Sequence, residues 1–120
     1  MAVVQFFLNY HSEKEIMRRA QNGLVIVLIQ QGEIRATGFL DDEELGGVYV
    51  HPGFQRKGLG TAIVKHLLLE AEKRSVKFIH LDSTPLAKPM YEKLKFDLVG
   101  PAVQMIGEEP LHYFKMEKYI

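Results

Sequence analysis

The sequence predicts one mixed α/β domain spanning residues 1–120, and three observations support this fold class. Runs rich in β-branched and other apolar residues, such as Leu24–Ile29, are typical of buried strands. Between Leu59 and Ala71, apolar residues recur at every fourth position, which indicates one apolar face of a helix. Strand and helix patterns follow each other in the order β–α–β–β–β–α–β–α–β–β, which favours helices packed on a mixed sheet.

The first half of the chain is predicted to hold four strands and one short helix. The segments are, in order, Ala2–Leu8 (strand), Ser12–Gln21 (helix), Leu24–Ile29, Glu33–Leu40 and Leu45–Val50 (strands). Ser12 and Glu15 have the spacing of a capping box, which predicts the start of the helix. Gln31-Gly32 predicts a tight hairpin turn. Gly46-Gly47 lies inside a strand pattern and predicts a bulge or the close approach of another group.

The second half is predicted to hold two helices and three strands. The segments are a helix from Leu59 to about Arg74, a strand Val76–Leu81, a helix opened by Thr84-Pro85, and a closing strand pair, Phe96–Val99 and Leu111–Tyr119. Pro89 removes a backbone hydrogen bond if it lies beyond the first helical turn. The second helix is therefore either kinked or begins near Lys88. Gly100-Pro101 and Glu108–Pro110 predict turns between the last two strands.

Composition excludes several classes of function. Fifteen basic and fifteen acidic residues cancel, whereas nucleic-acid-binding domains usually carry a basic excess. There is no cysteine, so disulfides and thiolate catalysis are excluded. No segment resembles a signal peptide, and the longest apolar run, Leu24–Ile29, is too short for a membrane span. We therefore expect a soluble cytoplasmic protein with neither a nucleic acid nor a membrane as partner.

A basic glycine-rich turn, Gln55–Gly60, separates the strand Leu45–Val50 from the following helix. The first N–H groups of a helix lack intrahelical partners, and the helix dipole adds positive charge there. Glycine lets a phosphate approach the backbone, and Arg56 and Lys57 add charge. The turn is interpreted either as a pyrophosphate site or as a strand-to-helix turn that needs glycine for its backbone angles. It matches neither the Walker loop nor the dinucleotide fingerprint.

Gln55-Arg56-Lys57-Gly58-Leu59-Gly60 resembles the Q/R-x-x-G-x-G/A signature of the GNAT-family N-acetyltransferases. The resemblance implies a mostly antiparallel, twisted sheet flanked by helices. It also implies that the turn, with Gln55, Arg56, Lys57, Gly58, Leu59, Gly60 and Thr61, binds the pyrophosphate of acetyl-CoA. The family usually has two helices between its first two strands, but this chain has room for only Ser12–Gln21. We therefore expect a shortened N-terminal helical region and an open substrate side.

A second block, from Leu81 to Phe96, is similar to a later segment of the same family. The resemblance places Tyr91 at the position of the general acid, and a phenol is protonated at neutral pH. The alternative is that Tyr91 is only a half-buried aromatic residue of the last helix. By the same resemblance, Thr84 and Ala87 lie beside the cofactor, with Thr84 replacing the common asparagine. Lys95 replaces the usual glycine before Phe96.

The central strand supplies the remaining candidates. The resemblance implies that backbone groups of Val48, Tyr49 and Val50 bind the pantetheine arm. Glu44 lies where many relatives carry the carboxylate that accepts the amine proton, although it also belongs to an acidic run, Asp41–Glu44, that is interpretable as a solvated loop. The acidic run is expected to attract a cationic amine. The five histidines form no ligand pair of the HxH or HExxH kind, so we expect no metal site.

The resemblance predicts an enzyme that transfers an acetyl group from acetyl-CoA to a primary amine by direct attack in a ternary complex. The acceptor is predicted to be a small-molecule amine or an amine of a peptide or protein. The alternative function is a non-catalytic acyl-CoA-binding or regulatory module. Ala2–Leu8 and Leu111–Tyr119 are both apolar, and one of them is expected to form an exposed sheet edge. A homodimer that closes the cleft and a monomer with an open groove are the two hypotheses for assembly.

Overall fold

The computed structural model describes residues 3–6 and 23–120, and the chain divides into two compact units, Met1–Val76 and Lys77–Ile120. The elements of the first unit are β1 (Val3–Phe6), β2 (Gly23–Gln30), β3 (Glu33–Asp41), β4 (Glu44–Val50), a 3₁₀ turn (Pro52–Phe54) and α1 (Leu59–Lys73). Those of the second unit are β5 (Phe78–Ser83), α2 (Lys88–Lys93), β6 (Asp97–Ile106) and β7 (Glu109–Tyr119). The helix predicted at Ser12–Gln21 lies outside the described residues.

The first unit is an antiparallel sheet in the order β1–β2–β3–β4, with α1 packed on β3 and β4. The apolar face predicted for α1 is buried, at Ile63, Val64, Leu67 and Ala71. Gly38 on β3 allows this packing, because a Cβ atom there would lie 2.5 Å from Ile63 Cγ2. The missing side chain therefore lets α1 lie close to the sheet, which fixes where the N-terminus of α1 lies relative to β3.

The predicted irregularity at Gly46-Gly47 is confirmed. The pairing of β3 with β4 shifts register between Thr37 and Phe39, so β4 carries an extra residue there, as in a β-bulge. The ring of Phe39 packs against both glycines, and a Cβ on Gly46 would lie 2.6 Å from Phe39 Cζ. Gly47 also has a φ of +59°, which favours glycine. The two glycines are thus required both by the bulge and by the aromatic ring.

The second unit is an antiparallel sheet in the order β5–β7–β6. The turn predicted at Gly100-Pro101 is wrong, because β6 continues through both residues to Ile106, with a register shift between Leu98 and Gly100. The chain reverses at Gly107-Glu108, which overlaps the other predicted turn, Glu108–Pro110, at Glu108, and Gly107 has a φ of +64°. The expectation that one of the segments Ala2–Leu8 and Leu111–Tyr119 forms a sheet edge is confirmed for the first segment, because β1 is an edge strand, whereas β7 lies between β5 and β6. Among the described strands, β6 is the edge strand of the second unit.

The boundaries of α2 follow from its prolines. Pro89 lies in the first turn of α2, where its missing N–H would have no intrahelical partner in any case. Thr84 stands before a separate turn, and its Oγ1 accepts a hydrogen bond from the N–H of Ala87 at 3.2 Å. The helix therefore begins at Lys88, which confirms the second of the two predicted alternatives. In the described part of the chain, neither α1 nor α2 is long and apolar enough to cross a bilayer.

Candidate functional site

The turn that enters α1 has the geometry of an anion site. Gly58 is the N-cap residue with a φ of +80°, and no side chain caps the helix. The first intrahelical bond runs from the N–H of Ala62 to the carbonyl of Gly58 at 3.0 Å. The N–H groups of the first three helical residues therefore have no intrahelical partner. Arg56 also has a positive φ, of 62°, so the chain curls tightly before the helix.

Two cations flank these amides. Arg56 and Lys57 are both exposed. In the described ranges, residues 3–6 and 23–120, neither forms an ion pair. No carboxylate of the described residues neutralises their charge, which therefore adds to the positive end of the helix dipole. The space beside Gly58 is open, because a Cβ atom there would meet nothing within 4 Å. These features are compatible with the predicted pyrophosphate site, which stays a prediction.

A cluster that the sequence did not reveal fixes this turn to the sheet. Arg35 of β3 is only 7% exposed, and its Cζ lies 3.9 Å from the centroid of the Phe54 ring. Arg35 Nη1 donates to Glu33 Oε2 at 2.7 Å, and the Arg35 carbonyl accepts the N–H of His51 at 2.7 Å. Lys57 Nζ lies 5.3 Å from the same ring. Stacking on Phe54 thus holds the 3₁₀ turn in front of the glycine-rich turn.

The predicted residues of β4 lie directly before this turn. Val48 and Val50 are half-buried, and Tyr49 is exposed. Along one edge of β4, Tyr49 pairs with Thr37 of β3 and Val50 pairs with Ala36. Gln55 Nε2 donates to the carbonyl of Val50 at 3.3 Å, so the glutamine of the motif binds the end of the strand. The structure therefore brings Val48–Val50 and Gln55–Thr61 together as one continuous strand–turn–helix segment.

Glu44 lies at the other end of β4. It follows the hairpin turn at Asp42-Glu43, pairs with Asp41 of β3, and is exposed. At roughly 3.3 Å per residue, it lies about 20 Å along the strand from Val50. The structure thus separates Glu44 from the glycine-rich turn, and its role as a base stays a prediction. In the described part of the chain, no group of His, Asp or Glu residues could hold a metal ion.

The second unit carries the other predicted site residues. Thr84 is exposed, and its carbonyl accepts the N–H groups of Ala87 and Lys88, at 3.2 and 3.1 Å. Ala87 is half-buried at the N-cap of α2. Lys95, which stands where a glycine was expected, has a φ of 71°, so it adopts the backbone conformation that glycine favours. This strained turn leads the chain from α2 into β6.

Tyr91 is the buried residue of α2. It is 5% exposed, and its ring contacts the edge of Phe96, with the ring centroids 5.6 Å apart. Burial raises the pKa of Tyr91 to about 12, because the phenolate is more costly to desolvate than the phenol. The hydroxyl is therefore fully protonated at neutral pH. It can donate a hydrogen bond or a proton to a group that gains negative charge, but it cannot itself act as a base there.

The raised pKa predicts how stability depends on pH. An unfolded tyrosine loses its proton near pH ~10, whereas folded Tyr91 loses it near about 12. Between these values, deprotonation favours the unfolded chain, so the free energy of unfolding should fall by about 1.4 kcal/mol per pH unit. Below pH ~10, Tyr91 is protonated in both states and no longer makes the free energy of unfolding depend on pH. Urea unfolding at a series of alkaline pH values should show this loss in the wild type and less of it in Tyr91→Phe; parallel curves would contradict the assignment.

The family model described as "Acetyltransferase (GNAT) domain" matches residues 2–120. The chain belongs to the GNAT acetyltransferase family. It is 38% identical over 77 residues to the [ribosomal protein bS18]-alanine N-acetyltransferase of Escherichia coli strain K12, a match that covers 58% of this chain and 52% of that protein. A Salmonella typhimurium protein of the same name is 39% identical over 61 residues, covering 48% of this chain and 41% of that protein. The match thus spans about half the length of these curated relatives.

Solved structures confirm the GNAT fold, a mixed and mostly antiparallel one. The ribosomal-protein-S18-alanine N-acetyltransferase from Escherichia coli superposes with a TM-score of 0.81 at 24% identity, covering 100% of this chain and 94% of that chain. A Bacillus subtilis acetyltransferase in complex with CoA gives a TM-score of 0.79 at 11% identity, covering 100% of this chain and 99% of that chain. A putative acetyltransferase from Salmonella typhimurium with acetyl-CoA gives a TM-score of 0.76 at 18% identity, covering 95% of this chain and 78% of that chain.

Proposed function

We propose that this GNAT protein is an N-acetyltransferase that moves an acetyl group from acetyl-CoA to a primary amine by direct attack in a ternary complex. The observation that carries the proposal is the uncapped N-terminus of α1, which follows Gly58 and two exposed cations, Arg56 and Lys57, that form no ion pair with any described residue. This arrangement suits the pyrophosphate of a nucleotide-containing cofactor. The crystallised CoA and acetyl-CoA complexes of proteins with the same fold support the choice of cofactor.

Each part of the cofactor has a proposed partner in this chain. The amides of Leu59, Gly60 and Thr61 would bind the pyrophosphate, with Arg56 and Lys57 adding charge. Backbone groups of Val48–Val50 would bind the pantetheine arm, because an extended chain offers regularly spaced donors and acceptors. Thr84 and Ala87 of the second unit are proposed as further cofactor-binding residues, on the family resemblance alone.

The chemistry follows from an activated acyl group and one proton donor. Acetyl-CoA supplies a thioester, whose acyl group is activated toward nitrogen nucleophiles. The neutral amine of the acceptor attacks the thioester carbonyl carbon, a C–N bond forms and the C–S bond breaks. Tyr91 gives its proton to the departing thiolate, and the proton lost by the amine passes to Glu44 through water. No covalent enzyme intermediate is needed, in keeping with a chain that has no cysteine.

The acceptor class is proposed from the relatives. The curated relatives that match this chain are named for acetylating an alanine of a ribosomal protein. We therefore propose the amine of a peptide or protein terminus as the first acceptor to test, with small-molecule amines as the second class. The acidic residues at the β3–β4 hairpin, Asp41 to Glu44, would favour a cationic acceptor through long-range attraction.

A thiol-release assay tests the proposal directly. The protein is incubated with acetyl-CoA and a panel of acceptors that includes a peptide beginning with alanine, and released CoA is detected with a thiol reagent. The chain has no cysteine, so the protein itself adds no background. We expect acceptor-dependent release and an acetylated acceptor by mass spectrometry. Binding of acetyl-CoA without turnover on any acceptor would instead support the non-catalytic acyl-CoA-binding module.

The proposed base is tested by a matched pair of variants. Glu44→Gln should lower turnover by at least ~10-fold near neutral pH, with a smaller effect at higher pH where more of the amine is already neutral. Glu43→Gln removes the same charge from the neighbouring exposed position and should leave turnover within about twofold of wild type, since general-base catalysis needs hydrogen-bond reach. Equal effects of the two substitutions would show that Glu44 contributes only general electrostatic attraction.

A further inference from the structure

The distal half of the β6–β7 hairpin, residues 103–112, is exposed along its whole length. Its large apolar side chains are 47 to 60% exposed, at Val103, Met105, Ile106 and Leu111. Among the described strands, β5 pairs with β7 only from Phe114 onward, so this half is a ribbon of two strands. An isolated ribbon of two strands is only marginally stable in water, although this one continues a sheet of three strands. The exposed apolar side chains and the low strand count make this region a candidate for pairing with a further strand.

The outer edge of β6 also lacks the features that protect edge strands. Charged side chains commonly prevent two edges from pairing. The segment from Val99 to Gly107 contains no charged residue. Pro101 and the register shift after Leu98 disturb only its first part. Among the described strands, β6 pairs with β7 alone, so none of them occupies its second edge.

The turn and the prolines fix which backbone groups face that edge. The two-residue turn Gly107-Glu108 is closed by the pair Ile106–Glu109, which is hydrogen-bonded in such hairpins, and the two kinds of pair then alternate. Met105–Pro110 and Pro101–Phe114 therefore fall on non-hydrogen-bonded pairs, where the missing proline N–H groups are not needed. The pair Val103–His112 is also non-hydrogen-bonded, by the same alternation. The outer edge thus presents the N–H and carbonyl groups of Val103 and Met105 and the carbonyl of Pro101.

We propose that two copies of this chain pair antiparallel through β6, about a two-fold axis beside Val103. In this register, the Val103 N–H donates to the carbonyl of Val103 of the partner subunit, and the reverse bond follows by symmetry. The Met105 N–H donates to the carbonyl of the partner's Pro101, so both N–H groups of the edge are satisfied. The two ribbons then become one sheet of four strands. Val103 faces its own copy, and Met105 faces the partner's Pro101, which buries apolar side chains without bringing charges together.

Mass measurements on two edge variants test the pairing. Light scattering coupled to gel filtration at micromolar concentration should give twice 13.7 kDa for the wild type. Val103→Pro removes only an outward N–H, so it should give 13.7 kDa while preserving the hairpin. Met105→Lys should give the same mass, because pairing would bury an unpaired ammonium group against the partner's Pro101. Val103→Thr keeps the N–H, and Leu69→Lys places the charge on an exposed apolar site of α1, so both should remain dimers.

A cysteine scan gives a second test that does not depend on breaking the interface. Residues in a hydrogen-bonded antiparallel pair have Cα atoms about 5.5 Å apart, which suits a disulfide. The chain has no cysteine of its own, so Val103→Cys should give a disulfide-linked dimer on mild oxidation. Leu69→Cys should not. A wild-type mass of 13.7 kDa, a dimer that survives both edge variants, or equal cross-linking of the two cysteine variants would overturn the proposal.

Discussion

Tyr91→Phe should lower kcat by ~100-fold or more while leaving the affinity for acetyl-CoA unchanged. General acid catalysis typically contributes at least this factor. The ring would keep its edge contact with Phe96, so the variant removes the hydroxyl and little else. Because the pKa of Tyr91 is raised to about 12, no other protonation state is populated near neutrality that could mask the loss. The measurement is steady-state turnover on an acceptor found in the thiol-release assay, paired with calorimetric titration of acetyl-CoA.

The control for this experiment is Tyr113→Phe. Tyr113 is a half-buried tyrosine of β7 with no proposed part in catalysis, and its substitution should change kcat by less than about twofold. If Tyr91→Phe and Tyr113→Phe turn over alike, Tyr91 is a packing residue, and the leaving thiolate is protonated by another group or by water.

Gly60→Val should abolish measurable binding of acetyl-CoA in a folded protein. Gly60 is the second residue of α1, where the proposed pyrophosphate must approach the backbone. A branched side chain there would keep the phosphate from two or more amides. Each hydrogen bond to a charged group is worth ~1.5–3 kcal/mol, so the loss should exceed ~100-fold in Kd. The measurement is calorimetric titration of acetyl-CoA, with circular dichroism to confirm that the helix is retained.

Ala62→Val provides the matched control. Ala62 is exposed two residues further along α1, so the same side chain has the same low helix propensity without lying on the phosphate side of the first amides. Its affinity should stay within about threefold of the wild type. Unchanged affinity in a folded Gly60→Val protein would show that the cofactor does not bind at this helix terminus.

The strongest predictions from sequence concerned features encoded by contiguous residues. The glycine-rich turn, the apolar face of α1 and the hairpin turn at Gln31-Gly32 each depend on neighbouring residues, and each is confirmed. The same holds for the bulge at Gly46-Gly47, although the aromatic ring that occupies the space beside it was not foreseeable. Family resemblance then supplied the fold, which the family match and the solved structures confirm.

Pairing across the sheet was the part that local sequence did not determine. Gly100-Pro101 has the local signature of a turn, but β7 offers a continuous partner on one side of β6 and a non-hydrogen-bonded position tolerates the proline, so the strand continues. The true turn at Gly107-Glu108 makes the hairpin longer than predicted and creates the exposed edge of β6. The turn propensity of this dipeptide is weak. The hydrogen bonds and side-chain contacts between β6 and β7 outweigh it, so the strand continues.

The sequence by itself determined where α1 begins and that glycines stand at its first turn, because these are local features. Only the tertiary structure decided how that turn is held, since Arg35 and Phe54 are far apart in sequence and meet only when β3 and the 3₁₀ turn come together. It also decided how far the pKa of Tyr91 is raised, because that shift depends on burial. Contacts between distant residues and the removal of water are consequences of packing, and no pattern of neighbouring residues encodes them.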